Sequence, residues 1–217
     1  MATLKLISIN VGPPREIVWQ GKTIMTGILK TPVAGPVALR RHNLDGDGQA
    51  DLSVHGGPTK AVYVYLTQHY GYWGDELPEV ELPWGSFGEN FTIDGLDECS
   101  VNIGDEFRVG TSKVVVTEPR MPCSKLNARF GRADMVKRFL QSQRSGFYFG
   151  VIEEGQVQKG DGLELLSRHA EGLAVADVIR LYTTEKTNAS LLEKAISVTA
   201  LPKTWRGYFK HQLAKLQ

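Results

Sequence analysis

A chain of 217 residues, 41% hydrophobic and 23% charged, can bury a substantial core and lacks the composition of a disordered segment. Its net charge of +1 excludes bulk electrostatic attraction to nucleic acid or to an anionic membrane, so any anion site must come from locally clustered cations. The two cysteines, Cys99 and Cys123, form neither a disulfide framework nor a CxxC pair.

Residues 1–167 read as short strands broken by glycine and proline. The start, MATLKLISINVGPP, has no signal-peptide pattern, and no apolar run approaches the roughly 18 residues of a membrane span, so a cytoplasmic protein is expected. Leu4–Asn10 alternates apolar and polar residues, and Ile24–Leu29 is a further extended candidate. Ala61–Leu66, rich in β-branched and aromatic residues, reads as a strand buried on both faces. More strands are expected at Asn90–Ile93, Glu106–Val109, Val114–Thr117, Tyr148–Glu153 and Leu163–Leu166, with turns at DGDG, DG, NIGD and KGDG between them. Helices are expected at Thr67–Leu77 and Ala133–Gln143. Short strands at this spacing predict a barrel, not a doubly wound parallel sheet. Residues 168–217 change texture and predict three helices, Val175–Tyr182, Ser190–Ile196 and Pro202–Leu216. Eight Lys and Arg against four Asp and Glu make this segment +4, leaving −3 for the rest. It reads as solvated helix faces or as a basic docking surface.

Four glycine- or proline-bearing segments at strand ends carry the chemical candidates. In TEPRMPCSKLN, Pro119 and Pro122 stiffen the backbone around Cys123, and Arg120 and Lys125 flank the thiol. Three roles stay open for Cys123: a small core hydrophobe, a nucleophile with His55 as base, or a metal-ligating thiolate favoured by the neighbouring cations. Cys99, among acidic neighbours, reads as structural. In HGGPTK, the amides of Gly56 and Gly57 suit an anion, with His55 and Lys60 at the rims, although the segment is not a Walker loop. GSFGEN and SGFY supply further loops, and together the four are expected to surround one barrel mouth. Two decoys drop out. DGDGQAD has alanine where a calcium loop needs glycine and Gly56 where it needs glutamate, so it is a tight turn. The cluster Tyr65, Tyr70, Tyr72 and Trp73 lacks a basic stripe and is expected to pack against the barrel.

Taken in order, VHGGPTKAVYVY, GSFGENFTIDGL, NIGDEFRVG, EPRMPCSKLN and RSGFYFGVIEEGQVQKGD resemble the MOSC domain, the C-terminal domain type of molybdenum-cofactor sulfurases. The following helices resemble the extension of a bacterial branch whose members reduce N-hydroxylated compounds such as 6-hydroxylaminopurine. The resemblance implies a mainly β protein: a MOSC-type β-barrel domain with short helical insertions at 1–167, then a three-helix extension at 168–217. It implies a molybdenum cofactor, molybdopterin with its metal, bound through the sulfur of Cys123. His55, Gly56, Gly57 and Lys60 are the leading candidates for its phosphate, with Arg15, Lys22 and Arg129 also available. Arg120 would favour the thiolate, while Glu89 and Asn90 would bond the pterin or gate the substrate. The implied reaction is two-electron reduction of N–OH to N–H; the alternative is a sulfur carrier or cofactor-binding protein without reductase activity. The chain has no four-cysteine cluster set and no GxGxxG fingerprint, so a separate electron-donor protein, such as a flavin reductase, is expected. No nucleic-acid or membrane partner is expected.

Overall fold

The computed structural model describes residues 4–51 and 56–216. In chain order the elements are β1 (Lys5–Val11), β2 (Arg15–Trp19), β3 (Lys22–Thr26), β4 (Thr31–Pro32), β5 (Val37–Leu39), β6 (Val62–Leu66), α1 (Thr67–Glu76), β7 (Phe91–Asp94), β8 (Glu106–Val109) and β9 (Ser112–Pro119). They continue with α2 (Ser124–Phe130), α3 (Met135–Ser142), β10 (Phe147–Glu153), β11 (Gly155–Val157), β12 (Leu163–Ser167), α4 (Val175–Thr183), α5 (Ala189–Ser197) and α6 (Lys203–Ala214).

The main sheet runs β12-β8-β9-β10-β6-β7-β1-β4. Its pairs are antiparallel except β6–β7, which α1 joins by a crossover. The sheet curls until β1 meets the chain entering β12. There Leu6 N–H donates to Asp161 at 2.9 Å, Gly160 N–H to Leu6 at 2.7 Å and Leu163 N–H to Leu4 at 3.1 Å. Closure in this way pairs backbone groups that an open edge would leave exposed.

Strand β6 explains why there are two cores. All five of its residues are buried, and successive side chains point to opposite faces. Val62, Val64 and Leu66 enter the barrel interior with Phe107, Phe147 and Phe149. Tyr63 and Tyr65 face outward into a second core with Tyr70 and Trp73 of α1, Phe87, and Met135 and Phe139 of α3. The aromatic cluster therefore packs against the outer barrel wall.

The three C-terminal helices share the first core instead of forming one of their own. Val178, Leu192, Val198, Trp205 and Phe209 are contiguous with the barrel's apolar interior. Asp105, fully buried before β8, ties the junction down by accepting from Arg168 Nη1 at 3.1 Å and from the His169 N–H at 2.9 Å.

Several elements were not legible beforehand. β2 and β3 form a hairpin through Gln20 and Gly21, both with positive φ, and the stretch predicted to be extended at Ile24–Leu29 ends at Thr26. The two-residue strand β4 adds to β1, β5 pairs with β11, and α2 begins directly after Cys123.

Gly146, with φ +60°, brings the chain into β10 so closely that an added Cβ would lie 2.2 Å from the Val64 carbonyl oxygen. Gly146→Ala therefore combines a left-handed backbone with a clash against the main chain. It should lower unfolding free energy by about 3 kcal/mol, measured by urea denaturation.

Candidate functional site

Strand β9 carries the central segment to its place. Its pairing with β10 slips at Thr117: Tyr148 opposes Glu118 but Phe149 opposes Val116. Such a bulge re-aims the residues that follow it. The Thr117 hydroxyl fastens the bulge by donating to the Tyr148 carbonyl at 3.1 Å and also contacts the Thr59 carbonyl. The chain then turns through Arg120, Met121 and Pro122 to Cys123, the N-cap residue of α2, in extended conformation. Gly131, left-handed with φ 63°, closes α2, aided by the Arg132 N–H bond to Asn127 at 3.0 Å.

Cys123 lines an open cleft of about 660 Å³, together with Arg120, Met121, Lys125, Gly56, Lys60 and Asn90. Thr26 to Ile28 and Gly48 to Ala50 supply the facing wall, and Lys30, Asp47, Tyr63, Phe87, Gly88 and Tyr148 complete it. The cleft opens on the outer face of the wall, where Tyr63 and Tyr148 point away from the barrel interior. The expected location inside a barrel mouth needs correcting, because Phe107, Phe147, Phe149 and their neighbours fill that interior.

Several predicted residues fall elsewhere. His55 lies outside the described residues. Gly57 is half-buried beside the cleft without lining it, and a Cβ there would meet open space. Arg15 and Lys22 sit exposed on the β2–β3 hairpin and do not line the cleft; neither does Arg129, half-buried on α2. Glu89 also stays outside the lining. It is fully buried, and its oxygens serve the loop itself: Oε1 accepts from Gly85 N–H at 2.7 Å, Thr92 Oγ1 at 3.0 Å and the Tyr70 hydroxyl, while Oε2 accepts from Phe87 N–H at 3.1 Å. Burial holds its carboxyl above the ordinary range. Glu89 thus shapes the wall from behind. Asn90 does reach the cleft, bridging the Tyr63 N–H and Asp47.

Lys30 and Asp47 went unforeseen, the first without any local signal and the second because its segment read only as a turn. They form a buried ion pair at the cleft wall. Asp47 also accepts from Gly12 N–H at 3.0 Å and Asn90 Nδ2 at 2.9 Å. Burial lowers the Lys30 pKa, with Asp47 opposing the shift.

The charge on Arg120 is the unusual feature. Its side chain is 5% exposed, with the guanidinium carbon 5.1 Å from the Tyr63 ring centroid and 4.9 Å from that of Phe139. Burial opposes its charge, while Tyr63, Tyr148 and Cys123 act together to keep its pKa above the usual arginine value. Nη1 is buried with no hydrogen-bond partner among the described residues, a costly arrangement unless another group completes it. Burial pushes the Tyr148 phenol up to about 12, against the pull of Arg120 and with help from Glu118 and Cys123. Cys99 is exposed and away from the cleft; partial burial, then Asp97 and Glu98, raise its thiol pKa.

Glu89→Gln would put an amide N–H₂ against donors that need an acceptor. It should destabilise the fold by about 2 kcal/mol in urea denaturation and blunt the near-ultraviolet signal of the aromatic core around Tyr70.

Comparison with known proteins places this geometry. The family model described as the MOSC domain matches residues 51–164. A Bacillus subtilis (strain 168) protein named uncharacterized protein YflK is 44% identical over 97% of this chain and 95% of its own length. The crystal structure of YiiM from Geobacillus stearothermophilus superposes with a TM-score of 0.81 at 35% identity, covering 97% of this chain and 99% of that one. A protein of Gibberella moniliformis (strain M3125 / FGSC 7600) named reductase is 34% identical over 85% of this chain, which spans 33% of that longer protein. On its bulged strand, glycine loops and cysteine-bearing turn, and on these matches, the chain belongs to the MOSC domain family.

Proposed function

We propose that this chain is a molybdenum-cofactor-dependent reductase of small N-hydroxylated compounds, converting N–OH to N–H, with the cofactor seated in the Cys123 cleft. The observation that carries the proposal is that Cys123 shares one cleft with a buried cation, Arg120, whose Nη1 has no partner among the described residues. The donor set suits the group. A thiolate is a soft ligand for a metal already held by sulfur. Arg120, Lys60 and Lys125 border the same cleft and suit a phosphate-bearing pterin. Support also comes from membership of the MOSC family and from the reductase name of the Gibberella protein.

When bound, the cofactor supplies two-electron redox chemistry at its metal. The chain's residues do the rest. Cys123 contributes the sulfur donor from a stiff, proline-flanked turn. Arg120, held between two rings, places a fixed positive charge beside it. Tyr148, whose burial favours the protonated phenol, offers Oη–H as a hydrogen-bond donor to the departing oxygen. Met121 and the ring of Tyr148, both half-buried, give the flat substrate an apolar surface. Electrons arrive from a separate protein, and the exposed Lys203, Lys210 and Lys215 of α6 and its C-terminus are the candidate docking charges.

Protein made in a cofactor-competent host should contain molybdenum and reduce 6-hydroxylaminopurine with a chemical electron donor. Cys123→Ser should abolish both while its circular dichroism stays native. Retained molybdenum without turnover in the wild type would favour the carrier reading, and a metal-free wild type would refute the proposal. Arg120→Gln should reduce metal retention about 10-fold. Tyr148→Phe should lower kcat about 100-fold with metal content unchanged.

A further inference from the structure

The C-terminal helices were expected to be an appendage to the barrel, but one buried carboxylate connects them to the cleft. Glu118 lies just after the Thr117 bulge, 4% exposed. Its Oε1 accepts from Thr59 Oγ1 at 2.9 Å. Its Oε2 accepts from Trp205 Nε1 of α6 at 2.9 Å and lies 4.0 Å from Lys60 Nζ. Trp205 is itself fixed, with its ring centroid 5.6 Å from that of Phe209 and 5.8 Å from that of Tyr182. Lys60 lines the cleft.

We infer that Glu118 is a positioning residue through which α6 holds the loop at residues 56–60 and tunes the charge that Lys60 presents to the cleft. The inference rests on the reading that the cleft takes an anionic ligand. A buried carboxylate needs its lone pairs satisfied, and its partners here come from two separate parts of the chain. Thr59 and Lys60 belong to the glycine loop, and Trp205 belongs to a helix 87 positions away in sequence. The indole N–H donates to an oxygen that also faces the Lys60 ammonium at ion-pair distance. While the indole holds its part of that oxygen's charge, less of it is directed at Lys60, and more of the Lys60 charge is felt by an anion in the cleft. Remove the indole N–H, and Glu118 draws Lys60 toward itself and away from the ligand. Thr59, bonded through its hydroxyl to Glu118 and through its carbonyl to Thr117, carries the same constraint into the loop backbone. A purely structural role for Trp205 would affect α6 and its packing but not the charge at Lys60.

The test uses the full chain with Trp205→Phe, Lys60→Met and the double variant, and inorganic pyrophosphate as the anion probe, with affinity measured by calorimetry. Amide hydrogen exchange is followed in parallel by mass spectrometry. Trp205→Phe should weaken pyrophosphate binding at least threefold, and that loss should vanish in the Lys60→Met background. Exchange at residues 56–61 should quicken at least threefold while β6 stays protected. Glu118→Gln, which leaves Trp205 in place, should quicken the same segment. Equal Trp205→Phe losses with and without Lys60, or faster exchange confined to α6, would overturn the inference. If the wild type fails to bind pyrophosphate, the anionic reading of the cleft falls, and the exchange of residues 56–61 alone decides the role of Glu118.

Discussion

Burial of β6 on both faces is the constraint on which the rest of the molecule depends. A strand with only one apolar face closes a barrel and presents polar residues to water. Here the alternation is aliphatic inward and aromatic outward, so the outer face must also be covered. α1, α3 and the loop around Phe87 supply that cover. Tyr148, only partly buried, lies at the margin of that cover, where the cleft adjoins the turn that delivers Cys123.

Charge is handled differently on the two sides of that cleft. Lys30 and Asp47 neutralise each other in the wall, and Asp47 also gathers the Gly12 amide and Asn90. Glu89 is satisfied by two amides and two hydroxyls of its own neighbourhood. Such fully bonded groups give rigidity and specificity more than net stability. Arg120 has aromatic faces on two sides and an Nη1 with no partner among the described residues. Satisfied groups thus lie behind the wall, while a buried cation that lines the cleft keeps one donor without a partner among the described residues.

Much of the fold could be read from the chain, because its signals are local. Glu106–Val109 matches β8 end for end, and the three C-terminal helices fall within two residues of the expected bounds at every end. Failures came where local signals are weak or misleading. α2 is one helix of two turns, and its N-cap residue is a cysteine, whose side chain makes no capping bond. β5 and β11 are three residues each, and what makes them strands is their pairing with each other across the fold. Among the chemical residues, Cys123, Arg120, Lys60, Gly56 and Asn90 do meet in one cleft. Glu89, although next to Asn90, is drawn away from the cleft by the Gly85 and Phe87 amides of its own turn.

By itself the sequence determined where seven of the eight strands of the main sheet run, the stiffness of the Pro119–Pro122 frame and the presence of a thiol among cations. These are properties of residues within a few positions of one another. Tertiary structure decided which face of the barrel wall would carry the cleft, that Lys30 and Asp47 would pair in it, and that Trp205 would reach Glu118 from a helix far along the chain. The physical reason is that burial and hydrogen-bond satisfaction depend on which elements are brought together. The pattern of a segment limits those partners but does not name them.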